Sequence, residues 1–439
     1  MFQENYRGYT LTPRHEKTSK SESGTPTRLI ALKLFEQVFQ GAYATPLLNK
    51  HLRDIGVRRD RSFITDLLYG TLRNFIYLEA CLTPRLRAPK RLPKIVYSGL
   101  IMASYEILIR GTPRHAAVFE WVQTIKRLTP PLAGLVNGVL RSVAVPNNLE
   151  QPTKWSLPGW LADSFISALG PDAAEDAALS MLKPGPLWLA TTGAKAVPSL
   201  LKEGCKVTEG PLPNTVAIRS PLPLYKLLAY REGLVQPQNP SSRYPVHALD
   251  VKPGDLVLDL ASGNGIKAAH LATLGAQVVS VDKSSSKLSR ARDNLYRMGL
   301  NADQHIADLS NQPDLKPAAK VLLDAPCSGT GTLRGNPEIK LRLNSKQVSS
   351  LAELQALLLD RASELTLPGG TLVYSVCSLT PDEGIGVISN FLAQKTNFCV
   401  DKSLPPQKLR NLVYREGTYI VPTNGVDGFF VAKLRKGPL

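Results

Sequence analysis

The stretch from residue 241 to residue 436 alternates short apolar runs with longer segments of helical periodicity. The apolar runs predict strands at 256–260, 278–281, 321–323, 371–376 and 429–434, and the segments between them predict helices, among them 287–298 and 348–367. Such alternation is typical of a parallel sheet with crossover helices. The pattern therefore predicts an open α/β domain over residues 241–439, and it restricts where a ligand can bind.

Ligands of an open α/β sheet bind beyond the carboxyl ends of the strands. A loop with two glycines follows the first predicted strand, and acidic residues end or closely follow the later strands. Glycines let the backbone approach a ligand, and a strand-end acid can bind ribose hydroxyls. We predict a nucleoside-cofactor site formed by Ala261, Ser262, Gly263, Asn264, Gly265, Ile266, Lys267, Asp282, Asp308 and Asp324.

The glycine loop lacks the third glycine of the dinucleotide fingerprint, which argues against NAD. S-adenosyl-L-methionine is the more common partner of such a shortened loop. In this interpretation Asp282 binds the ribose, Asp308 lies on the adenine side, and Asp324 lies on the methionine or base side. Each acid taken singly is weak evidence, because strand-end acids often only cap helices.

Two of the five cysteines end predicted strands: Cys327 follows Asp324-Ala-Pro, and Cys377 follows the strand 371–376. A thiol and an acid at the carboxyl edge of a sheet are placed for nucleophilic chemistry. The remaining cysteines, at positions 81, 205 and 399, are predicted to be packing residues. No CxxC pair occurs, so neither a disulfide framework nor a metal site is predicted.

Residues 26–145 show helical periodicity and predict an all-α domain of five to seven helices. The chain carries a formal net charge of +17, which favours a polyanionic partner such as RNA, although a merely basic surface remains an alternative. One window of this domain is densely basic and is predicted to form a phosphate-binding face. Its cations are Arg53, Arg58, Arg59, Arg61, Arg73, Arg85, Arg87, Lys90, Arg91 and Lys94.

Prolines interrupt residues 146–240, which predict connecting helices followed by a small α+β subdomain. The polar residues 1–25 predict a disordered tail without an apolar signal core. No apolar run is long enough to span a bilayer. We therefore expect a cytoplasmic protein that acts away from membranes, and no oligomer is indicated.

Two stretches resemble the signature motifs of the RNA cytosine-5 methyltransferases: DAPCSGTGTLRGNPEIK from Asp324, and TLVYSVCSLTPDEG from Thr371. Within these enzymes the chain is similar to the bacterial RsmB (Sun, Fmu) type, which carries a NusB-like helical RNA-binding domain in front. Residues 67–73, 113–118 and 134–141 match that domain. The resemblance implies a Rossmann-like S-adenosylmethionine-dependent methyltransferase domain, and 5-methylcytosine formation in small-subunit (16S) ribosomal RNA.

The resemblance also implies residue roles. Cys377 corresponds to the nucleophile that forms a covalent adduct with cytosine, and Cys327 corresponds to the cysteine that helps to release the methylated product. Lys267 corresponds to the lysine that closes the cofactor loop. Arg334 and Lys340 match basic positions after the first motif, and they are predicted to hold RNA phosphate.

The chain departs from the usual family motifs at several positions. Asn264 and Ile266 replace a proline and a glycine of the cofactor loop, Val376 replaces a common threonine, and Gly384 stands where asparagine is usual. Because a branched residue cannot cheaply take positive φ, Ile266 predicts a reshaped loop. Two alternatives follow: a non-catalytic RNA-binding or ribosome-assembly factor with a degenerate cofactor loop, and a DNA cytosine methyltransferase that attacks through Cys327.

Overall fold

The computed structural model describes residues 27–403 and 408–438. The predicted tail, residues 1–25, lies outside the described residues. The described chain forms two compact units: residues 27–162 with 333–342, and residues 163–332 with 343–438. The part of the chain predicted as one catalytic domain therefore contributes a short segment to the helical unit.

The helical unit contains seven α-helices between residues 27 and 142, with no strand among them. These are α1 (Thr27–Phe39), α2 (Ala44–His51), α3 (Arg58–Arg73), α4 (Phe75–Leu82), α5 (Lys94–Leu108), α6 (Arg114–Leu128) and α7 (Ala133–Ser142). Two further helices follow, α8 (Gln151–Lys154) and α9 (Gly159–Leu169). Helix α5 is buried over most of its circumference, as its nearly continuous apolar sequence predicts for the centre of a bundle.

The segment 333–342 packs into the helical unit through side chains that satisfy backbone groups of α1, α2 and α3. Glu338 Oε1 accepts a hydrogen bond of 3.1 Å from the backbone N–H of Ala44, the first residue of α2. Lys340 Nζ donates to the carbonyl of Arg73 at the end of α3. Arg342 donates to the carbonyls of residues 38, 41 and 42, where α1 ends. The segment therefore completes the termini of three helices, because those groups have no partner within their own helices.

The second unit begins within α9 and continues with α10 (Pro171–Leu182) and a four-stranded antiparallel sheet in the order β2–β3–β1–β4. Its elements are β1 (Leu187–Thr191), α11 (Ala196–Lys202), β2 (Lys206–Glu209), β3 (Thr215–Arg219), α12 (Leu228–Arg231) and β4 (Val235–Pro237). Leu189, Leu200 and Ile218 belong to its own small core. This part of the chain matches the predicted small α+β subdomain.

A larger sheet of nine strands follows, with the path β11–β12–β13–β9–β8–β5–β6–β7 and β10 paired to β13. Its strands are β5 (Leu256–Leu260), β6 (Gln277–Asp282), β7 (Asp303–Ile306), β8 (Ala318–Asp324), β9 (Thr366–Val376), β10 (Phe398–Val400), β11 (Asn411–Val413), β12 (Thr418–Ile420) and β13 (Phe429–Lys436). Strands β5 to β9 pair in parallel, and β13 adds antiparallel to β9. Across the sheet, β6 and β7 are added on one side of β5, and β8 and β9 are added on its other side. The order therefore reverses between β5 and β8, which is where such sheets bind ligands.

Five helices accompany this sheet: α13 (Pro240–Leu249), α14 (Ile266–Thr273), α15 (Ser285–Arg297), α17 (Ser345–Glu364) and α18 (Val387–Gln394). The four-residue α16 (Ile339–Arg342) lies in the segment that joins the helical unit. Helix α17 starts earlier than predicted, because Asn344 and Gln347 form a capping box. The prediction that it extends to Leu367 is wrong: Thr366 already pairs with Ala318, and Pro368 disfavours a helical residue before it.

Among the described residues, no helix has the length and apolar character that crossing a bilayer requires.

Candidate active site

The glycine loop leaves β5 and turns into α14 through three residues with positive φ. These are Ala261 at 60°, Gly263 at 61° and Gly265 at 73°. Ile266 is the first residue of α14, and its φ is not positive. Ile266 therefore carries no left-handed strain, because the positive φ values fall on its neighbours. That its presence changes the shape of the loop relative to the usual family motif stays a prediction.

Asp282, the last residue of β6, holds this loop through a hydrogen bond from its carboxylate. Its Oδ2 accepts 2.9 Å from the N–H of Gly263, and its Oδ1 accepts 2.8 Å from the N–H of Ser284. Asp308 is more exposed and caps a turn by accepting from the N–H and hydroxyl of Ser310, which together lower its pKa. The proposed contacts of these two acids with ribose and adenine stay predictions.

A cavity of about 340 Å³ lies against the glycine loop. Its walls come from residues 261–264, Ile266, Lys267 and Asp324 of the predicted site, and also from Pro237, Gln238, Asn239, Ser242 and Asp259. Neither Asp282 nor Asp308 lines the cavity. Asp282 is connected to it by its hydrogen bond with the N–H of Gly263, which does line it. Sequence reasoning missed the wall formed by the start of α13, where Asn239 caps the helix by accepting from the N–H of Ser241.

Asp259 is fully buried at the floor of this cavity. Neither carboxylate oxygen has a hydrogen-bond partner among the described residues, although the nearby Ser262 hydroxyl opposes the rise in pKa. Burial raises the pKa of this carboxyl to about 7. An orphaned buried acid that faces a cavity is suited to a cationic or hydrogen-bond-donating ligand.

Asp324 and Lys267 form an ion pair in the wall of the cavity. Lys267 Nζ lies 2.5 Å from Asp324 Oδ2, and the lysine side chain is only 8% exposed. The hydroxyl of Ser375 on β9 donates to Asp324 Oδ1 at 2.7 Å. The carboxylate of Asp324 is therefore held by a cation on one oxygen and a hydroxyl on the other, which fixes its direction.

Cys327 and Cys377 meet at the ends of the adjacent strands β8 and β9. Their sulfur atoms are 3.2 Å apart, and both are free thiols of intermediate exposure. The hydrogen bond with Cys377 raises the pKa of the Cys327 thiol well above its ordinary value, and burial and the charges of Glu383 and Asp324 raise it further. These effects all disfavour the thiolate form of Cys327.

The remaining cysteines lie elsewhere. Cys81 and Cys205 are buried, as expected of packing residues, but Cys399 is exposed on β10, so the packing prediction is wrong for that residue. Within residues 27–403 and 408–438, no group of three or more His, Cys, Asp or Glu side chains is arranged to hold a metal ion.

The predicted phosphate-binding cations divide into two sets. Eight of the ten in the helical window are exposed: Arg53, Arg58, Arg59, Arg85, Arg87, Lys90, Arg91 and Lys94. Arg61 and Arg73 are less exposed and donate to carbonyls, Arg61 to that of Ile55 and Arg73 to that of Arg334.

The phosphate contacts predicted for Arg334 and Lys340 are contradicted by burial. Arg334 is 6% exposed and Lys340 is 2% exposed. Burial lowers the pKa of Lys340 to about 7, and its amine donates to the carbonyl of Arg73. These side chains stabilise the helical unit from inside and do not present charge to a polyanion.

Two family models match the chain. Residues 246–435 match the family described as 16S rRNA methyltransferase RsmB/F, and residues 25–145 match the NusB family. The ribosomal RNA small subunit methyltransferase B of Thermus thermophilus is 38% identical over 94% of this chain and 98% of its own length.

Solved structures share the fold. PH0851 has a TM-score of 0.77 at 23% identity, covering 95% of this chain and 100% of its own. NSun6 from Pyrococcus horikoshii, solved with SFG, has a TM-score of 0.57 at 20% identity, covering 64% of this chain and 98% of its own.

The nine-stranded sheet, its glycine loop and the preceding helical bundle define a Rossmann-like methyltransferase domain joined to a NusB domain. The chain belongs to the family of ribosomal RNA small subunit methyltransferases B.

Proposed function

We propose that this protein methylates carbon 5 of a cytosine in small-subunit (16S) ribosomal RNA, with S-adenosyl-L-methionine as methyl donor and Cys377 as nucleophile. Its membership of the methyltransferase B family supports the reaction class and the RNA. The observation that carries the residue assignment is the contact of the Cys327 and Cys377 sulfurs at 3.2 Å beside Asp324.

The cavity at the glycine loop fits the cofactor. Its orphaned floor acid, Asp259, suits the ammonium group of the methionine moiety, and the backbone of Gly263 and its neighbours is open to the nucleoside. Once bound, the sulfonium supplies the methyl group that carbon 5 receives. Gly263 is held by Asp282, so the loop is preorganised for the ligand.

The chain's own residues prepare the cytosine. The thiolate of Cys377 adds to carbon 6, which makes carbon 5 nucleophilic. After methylation, carbon 5 loses its proton and the bond between sulfur and carbon 6 breaks. The 3.2 Å contact between the two sulfurs supports a role for Cys327 in exchanging a proton with Cys377 and promoting this release.

Asp324 is suited to orient the base, because a carboxylate can accept from the exocyclic amine of cytosine. Lys267 and Ser375 hold this carboxylate so that it cannot rotate freely. The eight exposed cations of the helical unit supply a surface for RNA phosphates.

The cysteine assignment is tested with Cys377→Ala and Cys327→Ala, using Cys399→Ala as a matched control on the exposed strand β10. We expect Cys377→Ala to abolish methyl transfer to ribosomal RNA. We expect Cys327→Ala to methylate once and to accumulate a covalent RNA adduct, visible as a shifted band after denaturing electrophoresis. Cys399→Ala should match the wild type.

Bisulfite sequencing of the RNA product locates the modified cytosine. A Cys377→Ala variant with wild-type activity would reverse the assignment and favour attack by Cys327. Absence of calorimetric heat with S-adenosyl-L-methionine, and of protection from unfolding, would instead favour a non-catalytic RNA-binding factor.

A further inference from the structure

The carboxylate of Glu383 lies beneath the two cysteine turns and is fully buried. It belongs to a π-helical turn, Asp382–Gly386, shortly after Cys377. Five donors reach its two oxygens: Ser328 N at 2.7 Å, Ser328 Oγ at 2.5 Å, Ser378 Oγ at 2.6 Å, Thr380 Oγ1 at 3.0 Å and Gln355 Nε2 at 3.0 Å. An ionised carboxylate accepts hydrogen bonds only, so this set of donors matches it.

The donors have a specific relation to the reactive sulfurs. Ser328 follows Cys327 directly in the chain, and Ser378 follows Cys377 directly. One carboxylate therefore binds the residue after each cysteine, although the two cysteines lie on different strand ends. Gln355 extends the link by donating its amide to the carbonyl of Pro326, which precedes Cys327.

Further bonds brace the same two turns against each other. The N–H of Gly331 donates to the carbonyl of Cys377 at 3.0 Å, and the N–H of Leu379 donates to Thr330 Oγ1 at 3.0 Å. The hydroxyl of Tyr374 donates to the backbone carbonyl of Glu383 at 2.7 Å, which fixes the π-helical turn. Because the network is buried and nearly fully satisfied, it is rigid.

We propose that Glu383 is the positioning residue of this site: its buried carboxylate ties the turn after Cys327 to the turn after Cys377 and so keeps both sulfurs in reach of one cytosine. The proposal rests on the proposed covalent chemistry. Glu383 itself touches neither sulfur by hydrogen bond, and it acts through Ser328 and Ser378.

The charge of Glu383 has a second effect on the pair. The hydrogen bond with Cys377 and burial are the largest causes of the raised pKa of Cys327, and the charges of Cys377, Glu383 and Asp324 add to them. Removing the negative charge of Glu383 therefore makes the Cys327 thiol more acidic.

The test compares Glu383→Gln with Glu353→Gln, an isosteric change at an exposed site on α17. The glutamine amide nitrogen is a donor, so either the three hydroxyls on one oxygen or the two N–H donors on the other lose their acceptor. The turns then lose their common anchor. We expect kcat for RNA methylation to fall about 10- to 100-fold, as a misplaced catalytic group predicts, with the KM for RNA within about 3-fold of wild type. Glu353→Gln should match the wild type in both constants.

The second readout is independent of turnover. Alkylation of each cysteine by iodoacetamide is followed as a function of pH in the full-length protein, with mass spectrometry of the peptides containing Cys327 and Cys377. In the wild type, Cys327 should react only at a pH above that of an ordinary thiol. In Glu383→Gln the Cys327 profile should move to lower pH while the buried Cys205 stays unreactive. Unfolding would instead expose both thiols to the reagent.

If Glu383→Gln does not fold, Ser328→Ala and Ser378→Ala each remove one arm of the anchor. Each should then lower kcat about 10-fold without changing the KM for RNA. Wild-type kcat and an unshifted Cys327 profile in Glu383→Gln, or wild-type kcat in both serine variants, overturns the proposal. If the wild type does not methylate RNA, the proposed function fails, whereas the alkylation profiles still decide the role of Glu383.

Discussion

Two acids at the ends of neighbouring strands, Asp259 on β5 and Asp324 on β8, have opposite surroundings. Asp324 has a lysine and a serine hydroxyl on its two oxygens, so its charge is compensated. Asp259 is buried without such partners, and its pKa rises to about 7. Position on a strand is therefore insufficient to assign the chemistry of an acid, because the partners come from other elements.

The surroundings of Asp259 give a pH-dependent prediction. Between about pH 4 and pH 7 the folded chain retains a proton that the unfolded chain has lost, so the free energy of unfolding decreases as pH rises through this range. Asp259→Asn removes this dependence. We expect the cofactor-free variant to equal the wild type in stability near pH 4, and to exceed it at pH 8 by on the order of 4 kcal/mol.

Urea unfolding at pH 4, 5, 6, 7 and 8 measures the difference. Asp293→Asn, an exposed acid on α15, is the control and should show no comparable trend. A stability difference for Asp259→Asn that is constant with pH would contradict the burial effect.

Gly384 is a residue whose identity is explained by the structure and not by the neighbouring sequence. The sequence shows a glycine where related motifs have asparagine, but it does not show why. A Cβ at this position would lie 2.4 Å from the hydroxyl of Tyr419, which is buried and donates to the carbonyl of Thr380. The glycine is therefore explained by packing against a strand far along the chain, and no local pattern contains that information.

At the scale of elements, the glycine loop offers a comparison between two residues in similar backbone conformations. Gly263 and Gly265 both have positive φ, but only at position 265 would a Cβ lie 2.6 Å from the Cβ of Ala291 on α15. We expect Gly263→Ala to lose about 1–2 kcal/mol from backbone strain, and Gly265→Ala to lose more because α14 and α15 must separate.

Chemical unfolding of the two variants measures this difference, and calorimetry with S-adenosyl-L-methionine measures its effect on the cofactor site. Equal losses of stability for both variants would show that the close packing of α14 against α15 is not what requires glycine at position 265.

The strongly periodic elements could be predicted from the sequence, including the parallel strands, the glycine loop and the positions of Cys327 and Cys377 just after two strands. Those predictions succeeded because apolar runs and turn residues are local signals. The wall formed by Asn239 and Ser242 could not be predicted, because it depends on how α13 packs against the sheet. The role of Glu383 was equally hidden, although the residue lies within the quoted second motif, since its partners lie as far as 55 residues away.

At the scale of the whole chain, Arg334 and Lys340 of the segment 333–342 were predicted to hold RNA phosphate, and instead they are buried in the helical unit. The sequence of this segment is basic, which made a phosphate contact the natural interpretation. Carbonyl groups at helix ends bind the same cations, however. Here Lys340 and Arg342 donate to such carbonyls in the bundle. Sequence composition alone does not distinguish a cation that binds phosphate from one that caps a helix.

Arg342 provides the test at this scale. Its guanidinium donates to the carbonyls of residues 38, 41 and 42, so Arg342→Met removes the side-chain donor from the last turn of α1 and the loop after it. We expect the helical unit to lose about 1–3 kcal/mol, as is typical of a charged hydrogen-bond donor. Lys346→Met, at an exposed position just beyond, should have little effect.

Hydrogen exchange of α1 amides, read by mass spectrometry, reports the stability of that unit separately from the rest of the chain. Unchanged protection of α1 in Arg342→Met would show that the three carbonyls find other partners.

The late arrival of residues 333–342 has a consequence for biosynthesis. Domains at the start of a chain usually fold as soon as they leave the ribosome, but this bundle cannot close the ends of α1, α2 and α3 until residue 342 has emerged. At roughly 5–20 residues per second, the intervening residues 163–332 take on the order of ten seconds or more to translate. During that interval the nascent bundle lacks the segment that supplies these contacts.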